Sequence, residues 1–333
     1  MSSQSSPSSS FFRFPSLDPL LSIVLMFAFT QALALTAGVF LISAAVKNPD
    51  VNLVSVAPMP AEPENPLNAA VFIAYVLGGA VLALLFIRFL RGRLAFRLLE
   101  FAMLTGSVSV LVLSFLLGVV HMDFLVAVGF SGGIGLLFAL IKFFFKGLKN
   151  TAAVLSSAGV GALFGFSMGF WPALLFIAAI SLYDYIAVFK TKHMLQLAQH
   201  LGSRELSFTI TAEKKEEENQ TPMPAFQSSL PASSARQSSI PSPRPAAKPS
   251  PSSGVDRLDL GSGDLAVPAM LAVSTYGAAG LGGSLAIAAG STVSLYFLLK
   301  FVLDKRVALP ALPPICMGAL AALLIFLLTG VKI

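Results

Sequence analysis

Two carboxylates stand where carboxylates are costly. The chain carries 16 acidic residues, and all but Asp184 and Asp264 lie in polar segments or at the ends of apolar ones. An ionised side chain inside a long apolar stretch is disfavoured by about 3 kcal/mol or more, so its retention points to function. Two such groups facing one another at low dielectric do not both ionise readily; they share a proton. The ionised partner then acts as base towards a water molecule, and the protonated one as acid towards a carbonyl. This chemistry hydrolyses an amide without metal, thiolate or imidazole, and it calls for no cofactor.

The elements that must position these acids are apolar. Of 333 residues, 56% are hydrophobic and 11% charged, with 28 phenylalanines and a mean hydropathy of +0.82. A soluble domain is nearer about 25% charged, so lipid is the solvent for most of this chain. A membrane span needs about 20 apolar residues to cross about 30 Å of hydrocarbon. Residues 20–46, 67–90, 98–119 and 124–145 supply four spans, with Lys142 placed to snorkel from the last. Residues 152–189 hold no charge except Asp184. As one helix they would run about 57 Å, so they must fold back, and Trp171-Pro172 is the expected turn. The same reasoning divides residues 265–302 near Gly280-Leu281-Gly282-Gly283, and residues 313–331 complete the set. The expectation is an all-α integral membrane protein with nine transmembrane helices, the run after residue 20 being a retained span rather than a leader.

The net charge of +6 does not point to nucleic acid, because the basic residues fill the gaps between spans. With the N-terminus cytoplasmic, the inside segments hold Arg13, Arg88, Arg91, Arg93, Arg97, Lys142, Lys146, Lys149, Lys300, Lys305 and Arg306. Outside are Lys47 and Lys332. The alternation holds at every crossing and places the C-terminus outside. Asp184 lies six residues before Lys190, and Asp264 seven after Arg257. Each acid therefore sits roughly 9–10 Å below the cytoplasmic face, at one level on consecutive spans.

Four segments follow from this count. Residues 1–19, largely serine, are expected to be disordered, and residues 20–201 carry spans one to six. Within that region, residues 191–201 suit either a short interfacial amphipathic helix or an extension of span six. Residues 202–257, a charged run followed by a Ser/Pro/Ala/Gln tract, read as a disordered cytoplasmic loop. Residues 258–333 carry spans seven to nine. The remaining polar groups read plainly. His121, His193 and His200 are solvated loop residues, Cys316 is packing, and Asp256 and Asp259 are solvated decoys. Glu100 pairs with Arg97 one turn away or is exposed at the interface. Gly161, Gly165 and Gly169, and separately Gly129 and Gly133, have the spacing of close helix packing.

Three motifs then stand out together: Tyr183-Asp184 on span six, Gly261-Ser262-Gly263-Asp264 opening span seven, and Pro310-Ala311-Leu312-Pro313 before span nine. In order and position they match the YD, GxGD and PALP signatures, and the chain resembles the presenilin and signal peptide peptidase family of intramembrane aspartyl proteases. The long loop between spans six and seven is also similar to that family, and the resemblance extends over the whole membrane portion. It implies that Asp184 and Asp264 are the catalytic pair and that Pro310, Ala311 and Leu312, with Pro313, shape the substrate cleft. Gly261 and Gly263 leave room for a substrate strand or a neighbouring helix beside Asp264. The prolines are expected to hold Ala311-Leu312 extended, its backbone open to an unwound substrate. Tyr183 has two readings, a hydrogen bond near the site or aromatic packing.

The resemblance further implies single-span membrane-protein substrates with the N-terminus outside, residence in the cell membrane, and an archaeal type of member that needs no accessory subunits. A competing class is transport, since buried carboxylates also carry protons or ions. The absence of an evident internal repeat and the position of the acids near one face weigh against it.

Overall fold

The computed structural model describes residues 18–47, 64–89, 93–120, 122–186, 209–213, 257–305 and 309–330. Eight helices and one two-stranded sheet make up this part. They are α1 (Pro19–Lys47), α2 (Leu67–Phe89), α3 (Arg93–Phe115), α4 (Phe124–Phe144), α5 (Lys149–Ser167), α6 (Phe170–Ile186), β1 (Thr209–Glu213), β2 (Arg257–Gly261), α7 (Ser262–Lys305) and α8 (Leu312–Thr329). Five of the described helices are long and apolar enough to cross a membrane: α1, α3, α4, α7 and α8.

The two divisions argued from length are both present. The turn between α5 and α6 falls at Met168-Gly169, just ahead of Trp171-Pro172, which lie in the first turn of α6. Proline is tolerated there because the first helical N–H groups have no partner to lose. At 44 residues, α7 would extend about 66 Å as a straight rod. It is broken at Gly280, where φ is +66°, a conformation that glycine adopts without steric cost. The two arms then run antiparallel: Leu265 shares a buried cluster with Leu295 and Leu299, and Leu271 and Ala272 share another with Ile287.

Helix α5 is the central element. It is not among the most apolar helices, because alanine, glycine and serine supply its surface, and these let neighbours come close. A Cβ on Gly159 would collide with the Ser107 backbone of α3, and one on Gly161 with Ala269 of α7. Gly165 likewise faces Val273 and Met270. Elsewhere the expected glycine contacts differ. Gly169 abuts the Glu64 carboxylate, which accepts from the Phe170 and Trp171 N–H groups and so caps α6. Gly129 and Gly133 face open space, and Gly135 is the α4 glycine pressed onto α3. Large apolar side chains such as Leu125, Phe130, Leu281 and Leu328 point outward, as suits an apolar solvent.

Two other expectations are corrected. Residues 209–213 and 257, assigned to a disordered loop, belong to β1 and β2, which pair antiparallel with Ile210 opposite Leu260. Both side chains are buried, and that burial offsets the ordering entropy. Glu100 pairs with Lys142 of α4 rather than with Arg97, while Arg97 lies over the Phe143 ring at 5.5 Å. A half-sunk cation and anion on adjacent helices lose less solvation together than apart. Residues 1–17, 187–208 and 214–256, with His121, His193 and His200, lie outside the described residues.

Candidate active site

One end of the bundle gathers the pieces. Ile23 of α1, Ala153 and Val154 of α5, Ile210 of β1, Leu260 of β2, Leu265, Leu295 and Leu299 of α7 and Ile315 of α8 form a single buried cluster. The start of α1, the start of α5, both ends of α7 and the start of α8 therefore meet on the same side.

The sheet is fastened to α5 at Asn150. Its Nδ2 donates to the Thr211 carbonyl at 3.0 Å, and its Oδ1 accepts from the Thr211 N–H at 3.1 Å. The Lys149 ammonium donates to the Thr211 hydroxyl at 2.9 Å. Strand β2 then runs without a gap into α7, so the sheet sets where that helix starts.

Asp264 is the third residue of α7, following Ser262 and Gly263. From that position a carboxylate can reach back to the residue before the helix, as in a capping box. The Gly261 N–H faces its carboxylate. A Cβ on Gly261 would stand 3.3 Å from Asp264 Oδ2, so this glycine makes room for the carboxylate itself. Gly263 differs: nothing lies within 4 Å of where its Cβ would be, and the face beside Asp264 is open.

The Pro310-Ala311-Leu312-Pro313 segment does not lie extended. Ala311 has φ −84° and ψ −37°, and Leu312 opens α8. The physical reason is that prolines at the start of a helix lose no hydrogen bond and bring the correct φ. Pro313 and Pro314 carry no N–H, so Leu312 is the one donor among the first three helical residues. That N–H is directed to the Asp184 carboxylate. Pro310 and Leu312 are buried, Ala311 and Pro313 half-buried, and the Ser294 hydroxyl of α7 anchors the turn by donating to the Pro314 carbonyl at 2.6 Å.

Asp184 lies two residues before the end of α6. The structure brings it close enough to Asp264 for the two charges to act on one another. Tyr183 is 65% exposed and takes no part in the core packing. Cys316, expected to be packing, is buried beside the Ser181 hydroxyl and within reach of the Asp264 charge, so it forms part of the wall of the site. Sequence reasoning missed Asn150, Ser157 and Gln31. Gln31 had a visible signal, being an amide in the middle of an apolar span.

A bundle of apolar helices with two carboxylates towards one end fits the class of membrane-embedded acid–base hydrolases. The family described as signal-peptide peptidase, presenilin aspartyl protease matches residues 24–331. The chain belongs to that family and is an intramembrane aspartyl protease. Two solved structures of a presenilin family intramembrane aspartate protease share its fold. One has a TM-score of 0.58 and 21% identity, covering 94% of this chain and 100% of that one. The other has a TM-score of 0.55 and 23% identity, covering 94% and 99%. No curated protein matches.

Proposed function

We propose that Asp184 and Asp264 are the water-activating pair of an endopeptidase that cuts single-span membrane proteins within their transmembrane segments. The observation that carries this reading is the meeting of three chain segments distant in sequence, the last described turn of α6 and the starts of α7 and α8, around two carboxylates, Asp264 lying within electrostatic reach of Asp184.

In the proposed reaction the ionised carboxylate takes a proton from water as the oxygen attacks the peptide carbonyl carbon. The protonated carboxylate gives its proton to the carbonyl oxygen. The tetrahedral adduct then breaks its C–N bond, and the nitrogen leaves with the proton held by the pair. A hydroxyl of the adduct returns its proton to the ionised carboxylate as the carbonyl re-forms. The Gly261 and Leu312 N–H groups face Asp264 and Asp184 respectively.

The same reading comprises nine spans, with the N-terminus cytoplasmic and the C-terminus outside, in the cell membrane. Charge alternation supports it, as does the gathering of Ile23, Val154, Leu265, Leu299 and Ile315 in one cluster. Preferred substrates have the N-terminus outside, and no accessory subunit is required.

The test uses purified protein in detergent with a single-span substrate, comparing Asp184→Ala and Asp264→Ala with the parent. Cleavage should disappear in both variants. Persistent cleavage in either would overturn the pair, and carboxylate-dependent ion flux into proteoliposomes without cleavage would favour a transporter.

A further inference from the structure

The turn that carries Asp264 is weakly determined by its own sequence. Gly261 and Gly263 flank it with little torsional restraint, and Pro268 has no N–H to offer the Asp264 carbonyl four residues earlier. Two side chains from other helices close on this turn. The Ser157 hydroxyl of α5 donates to the Ser262 carbonyl at 3.0 Å, and Gln31 Nε2 of α1 donates to the Leu265 carbonyl at 3.2 Å. Ser262 and Leu265 bracket Asp264 in the chain, so the turn is held on both sides of the acid.

Gln31 is 1% exposed, and its Oε1 has no hydrogen-bond partner. A buried amide with an unmet acceptor is a poor choice for stability, since an apolar residue of the same shape carries no such desolvation cost. What the amide supplies is its donor, aimed at the residue next to Asp264.

We infer that Gln31 is a positioning residue for the Asp264 carboxylate, with Ser157 as its counterpart from α5. The inference rests on the Asp184–Asp264 reading. Gln31 touches neither acid; it fixes the helical turn from which one of them projects. Misplacing a reacting group by about 1 Å costs on the order of a hundredfold in rate, so this restraint should be visible in kcat and not in substrate binding.

The experiment replaces Gln31 with methionine, which matches its length and lacks the donor, in purified full-length protein assayed with a single-span substrate. Gln31→Met should lower kcat roughly ten- to a hundredfold, leave KM within about twofold, and leave the melting temperature unchanged or raised. Affinity for a hydroxyl-bearing transition-state analogue should weaken in step with kcat. Ser157→Ala, which removes the other clamp, should show the same pattern at smaller size and stands in if Gln31→Met fails to fold. The inference is overturned if kcat per folded molecule is unchanged in the variants that fold, or if the loss lies in KM alone. Asp264→Ala is measured alongside. If it still cleaves, the carboxylate pair itself is wrong, whereas an inactive Asp264→Ala beside a fully active Gln31→Met rejects only the role of Gln31.

Discussion

Asp264 and Asp184 share a site but not a manner of support. Asp264 sits in the first turn of α7, directly after β2, whose partner strand β1 is fastened to α5 by Asn150, with Gln31 and Ser157 bonded on either side. Asp184 sits near the end of α6, a helix of 17 residues whose last turn exposes Leu182, Tyr183, Tyr185 and Ile186. Its contact from the facing element is the Leu312 N–H of α8. One carboxylate is built into the crossing of three helices; the other stands on an exposed helical turn and faces a helix start. The lesson is that the pair has a fixed member and an adjustable one, and substitutions around the two should differ accordingly.

In the proposed reaction both acids transfer protons, so their removal should cost alike. Asp264→Asn and Asp184→Asn should each reduce cleavage about a thousandfold or more, measured as product formed from a single-span substrate at equal folded protein. A large inequality between them would mean that one acid can act without the other.

The supports are where the two should part. Gly261→Ala places a methyl against the Asp264 carboxylate and should lower kcat by about tenfold or more, with KM nearly unchanged. Unaltered kcat would show that the Asp264 side is not fixed. At the Asp184 side, Leu312→Pro removes the N–H and Leu312→Ala keeps it. The proline variant should lower kcat about fivefold beyond the alanine variant, compared per folded molecule. The alanine variant should cost about 2–5 kcal/mol of stability, read by thermal melting in detergent, because the Leu312 side chain is 7% exposed. If Leu312→Pro proves more damaging than Gly261→Ala, the roles of the fixed and adjustable members are reversed.

The smallest effect sharpens the question of approach. Gly263 borders open space, so Gly263→Ala should leave the fold and kcat alone and raise KM by roughly two- to fivefold as substrate meets the new methyl. Kinetics against substrate concentration decide it, and a fall in kcat with constant KM would assign Gly263 to the turn instead.

Much of the site could be read before any coordinates. The two acids, the fold-back before α6 and the break near Gly280 follow from counting residues against a bilayer, because lipid forces each span to satisfy its own backbone. The sheet was less legible although its pattern was present. Leu258 and Leu260 alternate with Arg257 and Asp259, but four such residues beside a polar tract give no hint of where Ile210 would pair. Helix α5 was legible as a span but not as the centre, since alanine and serine do not reveal whether they face lipid or protein. The pairing of Glu100 with Lys142 instead of Arg97 was likewise a matter of which helices touch.

By itself the sequence determined the medium, where the apolar stretches lie, and which two carboxylates were out of place. Those properties depend on composition and spacing along one dimension. Only the tertiary structure decided that the Leu312 N–H meets Asp184, that Gly261 makes room for Asp264, and that Gln31 and Ser157 grip the turn between them. Apart from the local fit of Gly261 to Asp264, these are contacts between residues far apart in the chain, 234 positions for Gln31 and Leu265. The energy of such a contact depends on how helices cross and not on what any one of them contains.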